Sequence, residues 1–279
     1  MSVSDELERA LLYPLADQLP APGGSIELAP GVRWVRMALP FALDHINLWL
    51  LRDQVDGRNG WTVVDTCIDH PESRALWEQV FATQIDGLPV LRVIVTHMHP
   101  DHVGLAHWIC ARWSTPEHEC RLWMSATDYM NARYASQVVN SFGGERLADF
   151  FHSHGMAQAD DLDQIRNRKN YYRSLVPDVP ASFARLQDGQ QVRIGGRGWR
   201  CISGFGHSPE HIALYSEALG VLISGDMVLP RISTNVSVYE MEPEADALSL
   251  FLDSLERYLP LPEGTLVLPS HGKPFKGLH

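Results

Sequence analysis

The run Thr96-His97-Met98-His99-Pro100-Asp101-His102 places three imidazoles and a carboxylate within six residues. Neutral imidazole is the commonest metal ligand, and a carboxylate beside it adds negative charge or a base. The apolar, β-branched Val93-Ile94-Val95 just before it reads as a buried strand. Leaving that strand in near-extended chain, His97 and His99 stand two apart and point the same way. Pro100 keeps His99 extended and suits the first turn of a helix, so Asp101 and His102 open the next element. Two pairs of donors therefore face one point from a rigid strand end, and the chemistry predicted is metal binding.

Three more donors occur downstream, each just past a predicted strand. Trp199-Arg-Cys-Ile-Ser-Gly-Phe-Gly leads to His207, Val221-Leu-Ile-Ser-Gly to Asp226, and Thr265-Leu-Val-Leu-Pro-Ser to His271. Glycine lets the backbone turn sharply and bring a ligand close to an ion. Any one of these would pass as an exposed loop residue; all three, after the first motif, point to one convergent site.

His-x-His-x-Asp-His followed by His207, Asp226 and His271 in that order resembles the metallo-β-lactamase superfamily, over about residues 30–275. The resemblance implies an α+β fold, a four-layer αββα sandwich, here with a helical insertion. It also implies two divalent ions: His97, His99 and His207 on the first, Asp101, His102 and His271 on the second, Asp226 bridging. Imidazole and carboxylate without thiolate suit Zn2+, and also Mn2+ or Fe. Two such ions about 3.5–4 Å apart share a water and lower its pKa toward neutrality, making hydroxide available as nucleophile, with Asp101 as the catalytic residue that orients it. His211 resembles a structural histidine of the family, although Glu210 stands where the family has glycine. His99 stands where flavin-linked di-iron members carry Glu, and Asp226 where some true β-lactamases carry Cys. The pattern looks like the glyoxalase II, lactonase and β-lactamase-like protein 2 branch.

The elements that must position these donors follow from periodicity and punctuation. Residues 25–28, 32–37, 46–52 and 61–65 read as an antiparallel meander, with Asp-Gly and Asn-Gly turn signals inside 52–60. Helices are predicted at 71–85, where Pro71 sits at the start, and at 103–113. After a strand at 121–124, residues 125–185 form a helical insertion (127–134, 141–154, 160–175), a length that favours a lid or binding element. Strands resume at 191–194, 199–203, 212–215, 221–224 and 265–268. A helix over 243–259 carries Ala245, Leu248, Leu252, Leu255 and Leu259 on one stripe. One domain over 1–279 is expected, with the chain continuing past His279, whose own role would depend on that continuation.

Composition sets limits. Formal net charge is −11, from 23 basic and 34 acidic residues, which repels phosphate backbones at long range and makes nucleic acid an unfavoured partner. Cys67, Cys110, Cys120 and Cys201 lack Cys-x-x-Cys spacing and read as free thiols in a reducing compartment. With no signal-peptide pattern at the N-terminus and no run near the ~20 apolar residues that cross a bilayer, a cytoplasmic, membrane-free chain is expected. Its partner would be a small molecule, and a homodimer is compatible with the sequence.

The leading function is hydrolysis of a thioester or other activated acyl compound. The alternatives are a phosphodiesterase or endoribonuclease of the same fold and a non-enzymatic metal-binding module. Candidate substrate contacts are His45, just before a strand near the site; Arg231, Asn235 and Tyr239, after Asp226; and Arg168 and Tyr171. The last two belong to the basic-aromatic cluster 166–173, which could clamp coenzyme A phosphates, contact RNA, or simply be a solvated helix end.

Overall fold

The computed structural model describes residues 8–139 and 142–278. Residues 1–7, Ser141 (the first residue of the helix expected at 141–154) and His279 lie outside the described residues. In chain order the strands are β1 (Ile26–Ala29), β2 (Val32–Ala38), β3 (His45–Val55), β4 (Arg58–Val64), β5 (Val90–Ile94), β6 (Arg121–Ser125), β7 (Phe183–Leu186), β8 (Gln191–Ile194), β9 (Arg197–Gly204), β10 (His211–Ser216), β11 (Val221–Gly225) and β12 (Leu266–Pro269). The helices are α1 (Pro71–Thr83), α2 (Pro100–Val103), α3 (Ala106–Trp113), α4 (Ala126–Gln137), α5 (Glu145–Ser153), α6 (Ala159–Asn167), α7 (Tyr171–Leu175) and α8 (Ala247–Glu256).

The strands form two sheets, seven-stranded in the order β1-β2-β3-β4-β5-β6-β7 and five-stranded in the order β12-β11-β10-β9-β8. Alternation along each strand explains the layering. In β3, Trp49 and Leu51 face the second sheet, packing with Trp199, Ile212, Leu214 and Ile223. On the other face of β3, Ile46, Leu48 and Leu50 pack with Trp77 and Phe81 of α1 and with Ile109 of α3. Across the second sheet, Ala213 and Leu222 turn away from that inter-sheet core and meet Tyr258 and Phe251. Helices, sheet, sheet, helices: this is the αββα sandwich, with both faces of each sheet buried.

Four elements differ from the sequence reading. The helix expected over 103–113 is split into α2 and α3, because the Leu105 N–H leaves the helix to reach the Cys67 carbonyl at 3.0 Å. Gly104 permits this approach; a Cβ there would stand 2.6 Å from the same carbonyl oxygen. The helix expected over 160–175 breaks at Asn170, which is left-handed at φ 54° and donates to the Val139 carbonyl. The insertion, expected to hold no strand, ends in β7, which pairs parallel to β6 and extends the first sheet. The helix expected over 243–259 is α8, and most of its leucine stripe faces outward: Leu248, Leu252 and Leu259 are all more than half exposed, while Leu255 packs against the core. Its packed face also holds Ala247, Phe251 and Ser254; Ser254 accepts from the Phe205 N–H, a contact that heptad counting does not reveal.

Candidate metal centre

The seven donors arrive from strand ends that meet along one rim of the two sheets. Thr96 to His102 follow β5, His207 follows β9, Asp226 follows β11 and His271 follows β12. The rim is tied across the sheets: the Ile212 N–H donates to the Thr96 carbonyl at 2.8 Å, and the Asn47 N–H to the Ser270 carbonyl at 2.7 Å. The buried Asn47 side chain also donates to the carbonyls of Pro269 and Gly272, at 2.8 and 2.9 Å, fixing the turn that carries His271.

Two clusters result. In the first, one donor atom from each of His97, His99, His207 and Asp226 lies within 4.8 Å of the others; in the second, the same holds for Asp101, His102 and His271. Asp226 stands between them. Its Oδ2 is 3.3 Å from His207 Nε2, and its Oδ1 is 3.5 Å from His102 Nε2 and 3.4 Å from His271 Nε2. Asp101 Oδ2 closes the second cluster at 3.6 Å from His102 and 3.5 Å from His271.

The outer edges of the rings are held so that their inner nitrogens face the centre. His102 Nδ1 bonds Asp65 Oδ2 at 2.9 Å, His271 Nδ1 the His45 carbonyl at 2.8 Å, and His207 Nδ1 the Asn235 carbonyl at 2.7 Å. Asp65 also accepts from the Thr96 N–H and hydroxyl. The buried Asp128 accepts from the N–H groups of Met98 and Glu210, tying the first ligand loop to the one that carries His207. His211 is not among the donors. Its Nε2 accepts from the Asp226 N–H at 3.2 Å, and a Cβ on Gly225 would strike that ring.

His102 Nε2, His271 Nε2 and Asp226 Oδ1 are buried without a hydrogen-bond partner. Orphaned groups of this kind cost about 1–3 kcal/mol each. Three of them converging, in a donor set of imidazole and carboxylate without thiolate, fit a divalent cation.

Protonation divides the clusters. Burial, then the neighbouring imidazoles of His102, His99 and His207, push His97 well below the ordinary histidine value; burial and His207 do the same to His99. For His102, burial also opposes charge, but the carboxylates of Asp101, Asp65 and Asp226 override it and raise the group to about 10. His271 is raised likewise, burial being outweighed by Asp226 and Asp101. Asp226 is held well below the usual carboxylate range, because His271 and His102 outweigh its burial.

Two cavities open beside the donors. One, about 450 Å³, runs past Asp101 between Leu39, Phe41 and the insertion residues Leu147, Phe151 and Ile165. The other, about 430 Å³, runs past His207 toward Thr127, Asn131 and the 238–250 segment. His99, Phe142, Ser237 and Tyr239 line both.

The structure distributes the candidate substrate contacts unevenly. Tyr239, Tyr171 and Arg168 line the cavity beside Asp101, the Arg168 guanidinium lying 4.9 Å from the Tyr171 ring centre. His45 does not reach either cavity lining; its ring nitrogens bond Asp44 and the Gly272 N–H, bracing His271 from behind. Arg231 is exposed and paired with Glu8 at 3.0 Å. Asn235 contributes its backbone carbonyl to His207. In the basic-aromatic cluster, Arg166 is taken up by Glu145, Asp149 and Asp163, and Tyr172 is buried with its hydroxyl on the Met98 carbonyl.

Sequence reasoning missed Asp65, Asn47 and Asp128. Asp65 had a readable signal, an acid at the end of a predicted strand, much as Asp226 follows one a glycine later. Asn47 and Asp128 act on backbone groups remote in the chain, and no spacing marks them.

An αββα sandwich with histidines and aspartates gathered at the joined sheet edges defines the class as a metallo-hydrolase-type fold. The sequence model of the metallo-β-lactamase superfamily matches residues 42–271, and the chain belongs to that superfamily. The chain is 25% identical over 251 residues to the "Probable metallo-hydrolase YqjP" of Bacillus subtilis, covering 86% of this chain and 71% of that protein. It is similar to the crystal structure of a β-lactamase domain protein from Burkholderia ambifaria (55% identity, TM-score 0.89, 98% of this chain and 76% of that one). A metallo-β-lactamase family protein from Thermus thermophilus is also similar, at 25% identity and TM-score 0.73, over 90% of this chain and 77% of that one. The α+β expectation and the superfamily are thereby borne out. The four cysteines are buried and free, and among the described residues no helix is long and apolar enough to cross a membrane.

Proposed function

We propose that the protein is a metal-dependent hydrolase of a thioester or similarly activated acyl compound. His97, His99 and His207 would hold one cation, Asp101, His102 and His271 a second, with Asp226 shared. Divalent cations, Zn2+ by the donor set, would acidify water and neutralise charge developing on the substrate oxygen. The observation that carries the acyl reading is the apolar cavity that opens directly on Asp101.

The chain's own residues account for orientation and proton handling. Asp101, with one edge in the cavity and Oδ2 between His102 and His271, would orient the attacking water and accept its proton. Asp65 and the His45 carbonyl hold the two rings in register while this occurs. The water oxygen bonds to the acyl carbon, the carbon–sulfur bond breaks, and the thiol departs with a proton, leaving the carboxylate and one further proton. Apolar walls keep the acyl group and exclude competing solvent.

The test is turnover of short and medium acyl thioesters and of single-stranded RNA by the zinc-loaded protein, with and without chelator. Chelator-sensitive thioester cleavage with intact RNA is expected. RNA cleavage, or no acyl turnover across the panel, overturns the proposal. The net charge of −11 supports the acyl substrate over RNA.

A further inference from the structure

The two cavities meet at His99 and are separated by one aromatic wall, Phe142, edge-on to Tyr239 at 5.4 Å and stacked on Tyr172 at 5.6 Å. Tyr172 in turn bonds the carbonyl of Met98, between two of the donors, so the wall is tied to the ligand loop itself. Phe142 holds a left-handed backbone, φ 60°. A bulky side chain is seldom found there and is retained when its surroundings demand it. An aromatic in a left-handed backbone that lines both cavities is a specificity feature as well as part of the packing against the core.

The two sides differ in charge. The side beside Asp101 carries one guanidinium, Arg168, on a mainly aliphatic and aromatic lining that also holds Asp101, His99 and Ser237. Opposite it, Glu240 and Glu242 stand at the rim, and no lysine or arginine lines that cavity among the described residues. Phosphate groups entering there would meet carboxylates without a compensating cation.

Resting on the hydrolase reading above, we propose that the substrate is a two-armed ester or thioester. An apolar acyl arm lies beside Asp101, and an uncharged leaving-group arm without phosphates lies between Phe142 and Glu240. Phe142 is then the residue that keeps the arms apart, and coenzyme A thioesters are not the natural class. Each cavity is of a size that takes one such arm.

Binding tests this without turnover. Non-hydrolysable 2-oxoalkyl thioethers of N-acetylcysteamine and of coenzyme A would be titrated calorimetrically into the zinc-loaded protein. Affinity should rise about fourfold per methylene added to the oxoalkyl chain until the cavity is full, and the coenzyme A series should bind no tighter than the N-acetylcysteamine series. In Glu240→Lys/Glu242→Lys the ratio of coenzyme A analogue affinity to N-acetylcysteamine analogue affinity should rise at least tenfold. Phe142→Ala should favour branched over linear analogues. A coenzyme A analogue bound tenfold more tightly by the unaltered protein, or affinity independent of chain length, overturns the proposal, and the surface glutamate variant decides even if Phe142→Ala fails to fold. Analogue binding as expected with no ester or thioester cleaved would sink the hydrolase reading and leave the two-armed binding site standing; cleavage with flat chain-length dependence would sink the two-armed site alone.

Discussion

The two donor clusters lie side by side and share Asp226, yet they solve different electrostatic problems. In the first, three rings contact one another: His97 Nε2 is 2.9 Å from His99 Nδ1 and 3.1 Å from His207 Nε2. Burial and mutual repulsion keep His97 and His99 neutral, in the state that binds a cation. In the second, Asp101, Asp65 and Asp226 surround His102 and hold a proton on it up to about 10. A cation entering the first cluster finds lone pairs ready; one entering the second must displace protons. Histidine spacing alone therefore does not define a ligand's behaviour. The carboxylates around it decide whether the metal-free ring is a base or an acid.

Asp226 is the point at which the comparison is most easily broken. Replacing it with Ala removes the shared carboxylate, and zinc content measured by mass spectrometry should fall at both clusters, with activity reduced about 10³-fold or more. A variant that keeps two zinc ions would show that the clusters are independent. Asp101→Asn should lower kcat about 10²–10⁴-fold while leaving the affinity for the first zinc unchanged in a competition titration. Equal loss of both affinities would contradict the separation.

Asp65→Asn sharpens the contrast, since Asp65 bonds His102 directly and reaches His97 only through the Thr96 hydroxyl. The second zinc should weaken about 10–100-fold, with the first little changed. Taken per unit step, the smallest effect is that of pH. Because His102 is protonated below about 10 in the metal-free cup, each unit of fall in pH from 9 to 7 should weaken the second zinc about tenfold per proton displaced. The first zinc, on rings whose affinity for protons is already depressed, should change far less over the same range. Parallel slopes in calorimetric titrations would remove the distinction.

Much of the frame was readable from local rules. Residue pattern found the strands of both sheets except β7, and Pro71 and Pro100 marked helix starts at the residues the structure uses. The reading failed where a backbone group leaves its own element for a distant partner, as at Leu105 and Asn170. It failed in part on α8, where Leu248 and Leu252 face outward and Ala247, Phe251, Ser254 and Leu255 carry the packing. Among the substrate candidates, His45 and Asn235 were picked for position in the chain, and the structure gives them to the support of His271 and His207.

Residue type and order by themselves determined which side chains can be donors, because a strand end followed by glycine or a turn aims one side chain whatever the partner sheet does. Only the folded chain decided how those strand ends come together, through Asn47 and the Thr96 carbonyl crossing between sheets, and which rings carry protons. Proton affinity depends on charges a few ångströms away in space, and Asp65 is 37 positions from His102 along the chain yet 2.9 Å from its ring.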